Sequence, residues 1–316
     1  MFAVGFGILF VVDLMRFEFC PYRRRFRQPL RTSHGLWSVR EGIIVRLESE
    51  LGRVGFGEIA PIEWFGTETM EDAIALCQTL PSEISWQEID QIQFPACRFG
   101  FEMGWLAADG VADVADERLV YCALISEEWR ELWEQGYRTF KIKIGVNEIR
   151  EEITTLKRLV EEMPEEAVFR LDANGGLTEF EMHQWLAICE HLNVEFLEQP
   201  TNDFAMMLSA SQQYSTAIAL DESVATIAQL EDCYERGWRG IFVIKPAIAG
   251  SPSRLRKFCE MHQIDTVFSS VFETAIARRA GLKLAAELSD RAVGYGTTHW
   301  FDELTTNDFD ELWNSL

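Results

Sequence analysis

Five charged residues each end a short apolar run, and no other feature of the sequence limits the possible folds so strongly. They are Lys143, Asp172, Glu198, Asp221 and Lys245, and successive members lie between 23 and 29 residues apart. A strand, a loop and a crossover helix need about 20–30 residues, so each interval has the length of one βα unit. Side chains at the carboxyl ends of consecutive parallel strands converge on one face of a (β/α) barrel. The spacing therefore predicts a barrel with these five side chains at its mouth.

Strand and helix patterns alternate at this interval from about residue 119. The predicted strands are 119–124, 137–144, 168–173, 194–198, 217–221, 240–245, 265–270 and 292–296. The predicted helices are 126–135, 147–163, 178–191, 203–213, 225–236, 251–262 and 272–288. Such a series is an α/β fold, a modified TIM barrel of the (β/α)7β type whose last strand lacks a full helix. Apolar runs such as GIFVIK at 240–245 are typical of a parallel sheet that is buried on both faces.

The residues before the barrel have the pattern of a separate α+β capping domain. Strand-like runs at 17–26, 41–49 and 54–61 surround a predicted loop at 30–37, and helices are predicted at 67–80, with Thr67 as N-cap, and at 95–109. We predict a short N-terminal extension (1–15), the cap (16–107), the barrel (108–300) and a C-terminal segment (301–316) that returns to the cap. The cap is expected to close over the barrel mouth, with loops near Arg23–Arg27 and Gly52–Gly57 facing it.

Composition excludes several kinds of partner. The formal net charge of the 316 residues is −22, from 29 Lys and Arg against 51 Asp and Glu. Such a surface repels phosphate backbones and anionic lipid, so neither nucleic acid nor membrane is expected as a partner. The seven cysteines are odd in number and contain no CxxC pair, which is typical of reduced thiols in a cytoplasmic protein. The sequence VGFGE does not match a dinucleotide-binding fingerprint.

The charged strand ends predict a metal-dependent proton-transfer site. Asp172, Glu198 and Asp221 are oxygen donors that suit a hard divalent cation, and a buried carboxylate at a strand end needs such a partner. Lys141 and Lys143 share one face of their strand, and two amines in one site lower each other's pKa toward that of a useful base. The alternative for this KxK segment is a surface strand end with solvated lysines. Because the second and sixth strands of an eight-stranded barrel face each other, Lys245 is expected opposite Lys143.

Weaker signals surround these residues, and each of them also fits plain loop chemistry. The candidates for orienting the ligands or a small anionic carboxylate substrate are Arg170, Asn174, Glu222, Ser223, Ser269, Ser270, Glu273 and Gly296. Arg23, Arg24, Arg25 and Arg27 form the main basic cluster. A solvated edge strand is the preferred interpretation of this cluster, and a cap loop over an anionic substrate is the alternative.

The combined motifs resemble those of the enolase superfamily. From about Arg16 onward, the GEIAP segment of the cap and the series KxK, DAN, EQP, DES and KP carry the resemblance. Lysines on the second and sixth strands resemble its muconate lactonizing enzyme-like subgroup and, within it, the o-succinylbenzoate synthases of menaquinone or phylloquinone biosynthesis. The resemblance implies Mg²⁺, with Mn²⁺ as an alternative, on the three carboxylates. It also implies a general base or acid at Lys143, and Lys245 as a cation that stabilises an enolate.

The implied activity is dehydration of 2-succinyl-6-hydroxy-2,4-cyclohexadiene-1-carboxylate through an enediolate. One alternative on the same scaffold is an N-acylamino acid racemase or dipeptide epimerase. Dipeptide epimerases typically carry Asp-x-Asp at the eighth strand, where this chain has GYGTT at 294–298, so the sequence disfavours dipeptide substrates. A non-catalytic binding protein is a more remote alternative, because a binder would not need two unshielded amines.

Overall fold

The computed structural model describes residues 13–32, 35–110, 119–125, 129–301 and 308–316, and these residues form two sheets. The first sheet is antiparallel and consists of β1 (Leu14–Thr32), β2 (Gly35–Ser49), β3 (Val54–Ile59) and β4 (Glu83–Ser85). The second is parallel and consists of β5 (Cys122–Leu124), β6 (Thr139–Lys143), β7 (Val168–Asp172), β8 (Val194–Glu198), β9 (Ala217–Leu220), β10 (Ile241–Ile244) and β11 (Thr266–Phe268).

Helices accompany both sheets. The cap carries α1 (Met70–Thr79), α2 (Trp86–Asp90) and α3 (Pro95–Ala108). The barrel carries α4 (Trp129–Glu134), α5 (Ile149–Glu162), α6 (Glu179–Cys189), α7 (Phe204–Ser211), α8 (Ile227–Glu235), α9 (Pro246–Ala249), α10 (Pro252–His262) and α11 (Ala275–Leu288), and α12 (Phe309–Ser315) ends the chain. The short elements β4, α2 and α9 were not predicted. The fold class, a (β/α)7β barrel with an α+β cap, is confirmed.

Some predicted segments lie partly outside the described residues. They are positions 1–12 of the extension, the tip of the predicted loop at 33–34, the start of the barrel segment at 111–118, the helix start at 126–128, and 302–307 of the C-terminal segment. The domain boundaries remain predictions. No helix in the described part of the chain is both long enough and apolar enough to cross a membrane.

The long hairpin of the cap differs from its prediction. Residues 30–32 and 35–37, from the segment 30–37 that was expected to be a loop, belong to β1 and β2, with Leu30 paired to Trp37 beyond a register shift that follows Arg25. Cross-strand hydrogen bonds hold these arms extended, a pairing that the loop-like composition concealed. The N-cap of α1 is Thr69 and not Thr67, because Thr69 forms a capping box with Asp72.

The last barrel strand is reduced to two single bridges. Val293 bridges Tyr121 and Gly294 bridges Ser269, where the sequence predicted a strand at 292–296. The amide of Cys122 donates to the carbonyl of Val293 at 2.9 Å, and the amide of Gly294 donates to that of Phe268 at 2.8 Å. This segment therefore joins the two edge strands of the parallel sheet and closes the barrel, although it is too short to form a regular ladder.

Close backbone packing joins β3 to α3 within the cap, and a buried carboxylate fixes the cap to the barrel. A Cβ on Gly57 would lie 1.8 Å from the carbonyl oxygen of Gly100, so β3 packs directly on α3. The prediction that Gly52–Gly57 faces the site is therefore wrong. Buried Glu58 accepts hydrogen bonds from the amides of Thr274 and Ala277 at the start of α11. A carboxylate is favoured at a helix N-terminus, so this contact ties β3 to the barrel.

The final helix packs against the cap sheet and the barrel helix α11. Phe309, Leu312 and Trp313 lie against a small cluster that contains Tyr22 and Phe56. The chain therefore ends against the domain with which it begins.

Candidate active site

A cavity of about 280 Å³ lies at the carboxyl ends of the barrel strands, beneath the cap. Its cap side consists of Leu30, Arg31, Thr32, Trp37, Ile62, Trp64 and Phe65. Its barrel side includes Cys122, Lys141, Lys143, Asp172, Asn174, Asp221, Glu222, Lys245, Ser269, Ser270, Phe272, Gly296 and Trp300. The cap thus covers the face of the barrel where side chains from different strands converge, as the sequence predicted.

Three carboxylates from three neighbouring strands lie buried at the floor. Asp172 and Glu198 end β7 and β8, and Asp221 directly follows β9. The Lys141 ammonium lies 2.8 Å from Asp172 Oδ2 and 2.8 Å from Glu198 Oε1, and Lys245 contacts Asp221. Glu198 does not line the cavity itself, because Lys141 covers it. Two ammonium groups therefore neutralise most of this acidic cluster.

The donor set suits a hard divalent cation. Within the described residues, no three acidic, cysteine or histidine side chains already converge as a ligand group. The ammonium groups of Lys141 and Lys245 provide the positive charge between the carboxylates instead. A divalent cation would supply the same compensating charge to oxygen donors, once the lysines moved aside. The three carboxylates therefore suit the predicted metal. Binding of the metal requires the lysine side chains to move, whereas the strands stay in place.

Burial and these ion pairs shift the ionisation of the cluster in opposite directions. Burial raises the pKa of Asp172, but Lys141, Lys143 and the amide of Asn174 together outweigh burial and leave that pKa below its ordinary value. For Glu198, burial outweighs the influence of Lys141, so the pKa of Glu198 is raised. For Lys141, burial lowers the pKa, yet Asp172 and Glu198 together raise it above its usual range. Lys141 is therefore a permanent cation here, and not the base that an isolated KxK pair suggests.

Lys143 lies at the open edge of the cavity and is oriented by a neighbouring amide. Its Nζ donates to Asn174 Oδ1 at 3.2 Å, and Asn174 Nδ2 donates to Glu222 Oε1 at 3.0 Å. Glu222 Oε2 is buried without a hydrogen-bond partner. Burial, followed by the charge of Asp172, raises the pKa of Glu222 to about 7. Asn174 and Glu222 thus hold the predicted base through a short polar chain.

Lys245 occupies the opposite side of the mouth. It directly follows β10, which is the sixth barrel strand, whereas Lys143 ends the second. Burial lowers the pKa of Lys245 to about 7, although the charge of Glu198 acts in the opposite direction. Both lysines line the same cavity, so the arrangement predicted from spacing is present in the structure.

Gln199 was not singled out from the sequence. Its Oε1 accepts from the amides of Asp221 at 2.9 Å and Ser223 at 3.3 Å, and its Nε2 donates to Ser223 Oγ at 2.7 Å. Ser223 is therefore turned toward Gln199 and does not line the cavity, so its contacts agree with the predicted role of orienting the ligands and not with a contact to substrate. The sequence feature that could have identified Gln199 is its position as a polar residue directly after the apolar strand that ends at Glu198.

The role predicted for Arg170 also differs from what the structure shows. Its Nε donates to Glu195 Oε2 at 2.6 Å and its Nη1 to the carbonyl of Ala292 at 2.7 Å, and it does not line the cavity. Although Arg170 shares a strand face with Asp172, it lies two residues earlier and therefore deeper in the barrel. Its ion pair with Glu195 connects β7 to β8, which is a structural role.

The basic cluster of the cap does not line the site. Arg23–Arg27 belong to β1, where Arg23 pairs with Glu41 and Arg24 packs over the Phe301 ring. The arginine that lines the cavity is Arg31, which was not predicted because its segment was expected to be a loop.

The loops after the last two strands contribute polar walls. Ser269, Ser270 and Gly296 line the cavity. Ser270 Oγ donates to Glu273 Oε2 at 2.9 Å, and buried Glu273 also accepts from the amide of Val271 at 2.6 Å. Burial raises the pKa of Glu273. Glu273 therefore shapes this loop instead of facing a substrate.

Comparisons with known sequences agree with this geometry. The family described as "Enolase C-terminal domain-like" matches residues 124–313, and "MenC, N-terminal domain" matches residues 29–107. The chain is 38% identical to an o-succinylbenzoate synthase of Thermosynechococcus vestitus, over 96% of this chain and 99% of that one. It is 28% identical to an o-succinylbenzoate synthase of Vibrio cholerae, over 79% of each.

Comparisons with solved structures agree with the sequence comparisons. A crystal structure of o-succinylbenzoate synthase from Thermosynechococcus elongatus BP-1, complexed with magnesium in its active site, matches with a TM-score of 0.89 and 36% identity. The match covers 95% of this chain and 100% of that chain. An N-succinyl Arg/Lys racemase from Bacillus cereus matches with a TM-score of 0.78 at 19% identity, over 92% of this chain and 89% of that one. At that identity the racemase shares only the fold.

Proposed function

We propose that this chain, which belongs to the o-succinylbenzoate synthase family of the enolase superfamily, dehydrates 2-succinyl-6-hydroxy-2,4-cyclohexadiene-1-carboxylate to o-succinylbenzoate. The observation that carries this function is the pair Lys143 and Lys245, which line one cavity from opposite barrel strands with Asp172 and Asp221 between them. It is a metal-dependent lyase that acts on a small carboxylate. We further propose that it is cytoplasmic, and that nucleic acid and membranes are not partners.

Lys143 removes the proton alpha to the substrate carboxylate and, as the resulting ammonium, donates it to the departing β-hydroxyl. The two transfers remove one water and leave an aromatic ring, so a single residue serves as base and then as acid. Asn174 supports this role, because its Oδ1 accepts from Lys143 Nζ at 3.2 Å and holds the amine at the cavity edge.

Lys245 stabilises the enediolate from the opposite side. Removal of the α-proton leaves a second negative charge on the carboxylate oxygens, and a buried ammonium beside them needs no reorganisation as that charge forms. Lys245 is buried, so water does not screen the attraction between its ammonium and the enediolate.

Asp172, Glu198 and Asp221 would hold Mg²⁺, with Mn²⁺ as the alternative. When bound, the cation supplies Lewis-acid stabilisation of the substrate carboxylate. Gln199 fixes the backbone of Asp221 by accepting from its amide, and Lys141 compensates the charge of Asp172 and Glu198 that a cation would take over. Trp37, Trp64 and Phe272 line the cavity with aromatic surface.

The first prediction is the activity itself. We expect the purified protein to form o-succinylbenzoate, and to do so with a higher kcat/KM than it racemises N-succinylamino acids. The two reactions are measured side by side, the first by absorbance of the aromatic product and the second by loss of optical rotation. Efficient racemisation without any o-succinylbenzoate would overturn the proposed function.

The second prediction concerns the metal. Exhaustive dialysis against EDTA is expected to abolish dehydration, and added Mg²⁺ to restore it, because the charge of the enediolate then lacks its divalent partner. Activity is titrated against free Mg²⁺, with Asp232→Asn on the surface of α8 as the control. Full turnover in protein shown by elemental analysis to be metal-free would contradict the assignment of these carboxylates.

One observation also favours a second activity on N-acylamino acids. Both lysines line the cavity, and burial lowers the pKa of Lys245 to about 7, which is the range of a general base near neutral pH. Two bases on opposite faces of an α-carbon produce racemisation. The absence of acidic residues from Gly294–Thr297 disfavours dipeptides as substrates.

A further inference from the structure

The cap places an aromatic ring against the catalytic lysine of the sixth strand. The Phe65 ring centroid lies 4.6 Å from Lys245 Nζ, within the roughly 6 Å range of a cation–π interaction. Phe65 ends the short helical turn Glu63–Phe65 of the cap, whereas Lys245 belongs to the barrel. This contact therefore crosses the domain boundary and ends on a group that takes part in the chemistry.

The turn that carries Phe65 is held at both ends. The amide of Ile62 donates to Thr67 Oγ1 at 2.8 Å, and the amide of Gly66 donates to the carbonyl of Glu63 at 2.8 Å. Gly66 has a φ of 86°, a left-handed conformation that glycine adopts without strain, and it ends the turn directly after the ring. The ring is thus presented from a fixed backbone and not from a free loop.

Lys245 needs a partner that does not compete with the metal. Its ammonium is buried and contacts Asp221, which is one of the three proposed metal ligands. A cation held by Asp221 would take up the charge of that carboxylate, and the lysine, still buried, would keep little of the interaction. A ring face stabilises an ammonium without offering a carboxylate, so it is compatible with a bound metal.

We propose that Phe65 is a positioning residue for the reaction, whose ring face stabilises the Lys245 ammonium and directs it at the substrate. The cap then does more than cover the site, because it completes the electrostatic environment of the lysine that stabilises the enediolate. The inference rests on the proposed function, since it assigns Phe65 a part in the same dehydration.

The test replaces Phe65 by phenylalanines of increasing fluorination (4-fluoro, 3,5-difluoro and 3,4,5-trifluoro), which withdraw charge from the ring face with little change of shape. We expect kcat for o-succinylbenzoate formation to fall stepwise with fluorination while KM stays nearly constant. Phe65→Leu is expected to lower kcat roughly 5- to 30-fold, and Phe65→Tyr to retain it.

The matched control is the same fluorinated series at Phe17. This ring is also buried in the cap, but it packs against Phe19 and Phe101 and not against a cation, so kcat should not change. If wild type makes o-succinylbenzoate and kcat is independent of fluorination at Phe65, the role assigned to this ring is wrong. If wild type makes no o-succinylbenzoate, the proposed function fails first, so the two failures are distinguishable. The fluorinated variants remain informative even if Phe65→Leu does not fold.

Discussion

Lys143→Ala is expected to eliminate dehydration while leaving the fold and the metal site intact. Lys143 is the amine at the open edge of the cavity, and the neighbouring Lys141 is occupied by Asp172 and Glu198. No second amine is therefore free to replace it on that face of the substrate. General acid–base catalysis contributes about 10²–10⁴-fold, so kcat should fall by at least this range. The measurement is single-turnover formation of o-succinylbenzoate at saturating substrate and Mg²⁺.

Two controls separate lost chemistry from lost structure. Lys157→Ala removes an exposed lysine from α5 and should leave kcat unchanged. Calorimetric titration of the Lys143→Ala variant with Mg²⁺ should give a Kd no weaker than that of wild type, because Lys143 donates to Asn174 and its positive charge near Asp172 opposes a bound cation. A Lys143→Ala enzyme that retained more than a few per cent of wild-type kcat, with normal metal affinity, would refute the assignment of the base.

Lys245→Ala is expected to reduce kcat about 10²–10³-fold, the size of effect seen when one preorganised donor to a developing oxyanion is removed. The cause differs from that in the Lys143 variant, since the α-proton can still be attacked but the enediolate loses a positive neighbour. Binding of Mg²⁺ should not weaken, because the Lys245 ammonium contacts Asp221 and competes with a cation for it. Weaker Mg²⁺ binding in Lys245→Ala would contradict this arrangement of the site.

Lys245→Arg distinguishes the two activities that the scaffold supports. Arginine keeps the positive charge but is not a base at neutral pH. A dehydratase that uses Lys143 alone as base should keep slight activity in this variant, whereas two-base racemisation of an N-succinylamino acid should be lost entirely. Deuterium exchange at the α-carbon, followed by NMR for each enantiomer, reports which lysine acts on which face. Equal loss of both reactions would show that Lys245 is needed for more than its charge.

Long-range contacts account for the residues that sequence reasoning placed incorrectly or missed. Arg170 and Asp172 lie on the same face of one strand, so the alternation of side chains along the strand gives them the same prediction. Arg170 lies two residues deeper in the barrel, where it forms a structural ion pair and does not reach the site. Gln199 becomes important only because β8 and β9 lie side by side, so that its side chain reaches the amides of Asp221 and Ser223. Arg31 and Phe65 reach the cavity because the cap docks on the barrel mouth.

The sequence alone determined the barrel, the order of its strands and the five charged residues at their ends. These features follow from local rules, since apolar runs of strand length at the βα interval place their last side chains on one face. Closure by Val293 and Gly294, the pairing of Lys141 with two carboxylates, and the contact of Phe65 with Lys245 were decided only by tertiary structure. Each of these contacts joins segments that are far apart in the chain. Whether the two segments meet depends on the stagger of the barrel strands and on the packing of the cap, and no local sequence pattern encodes either of them.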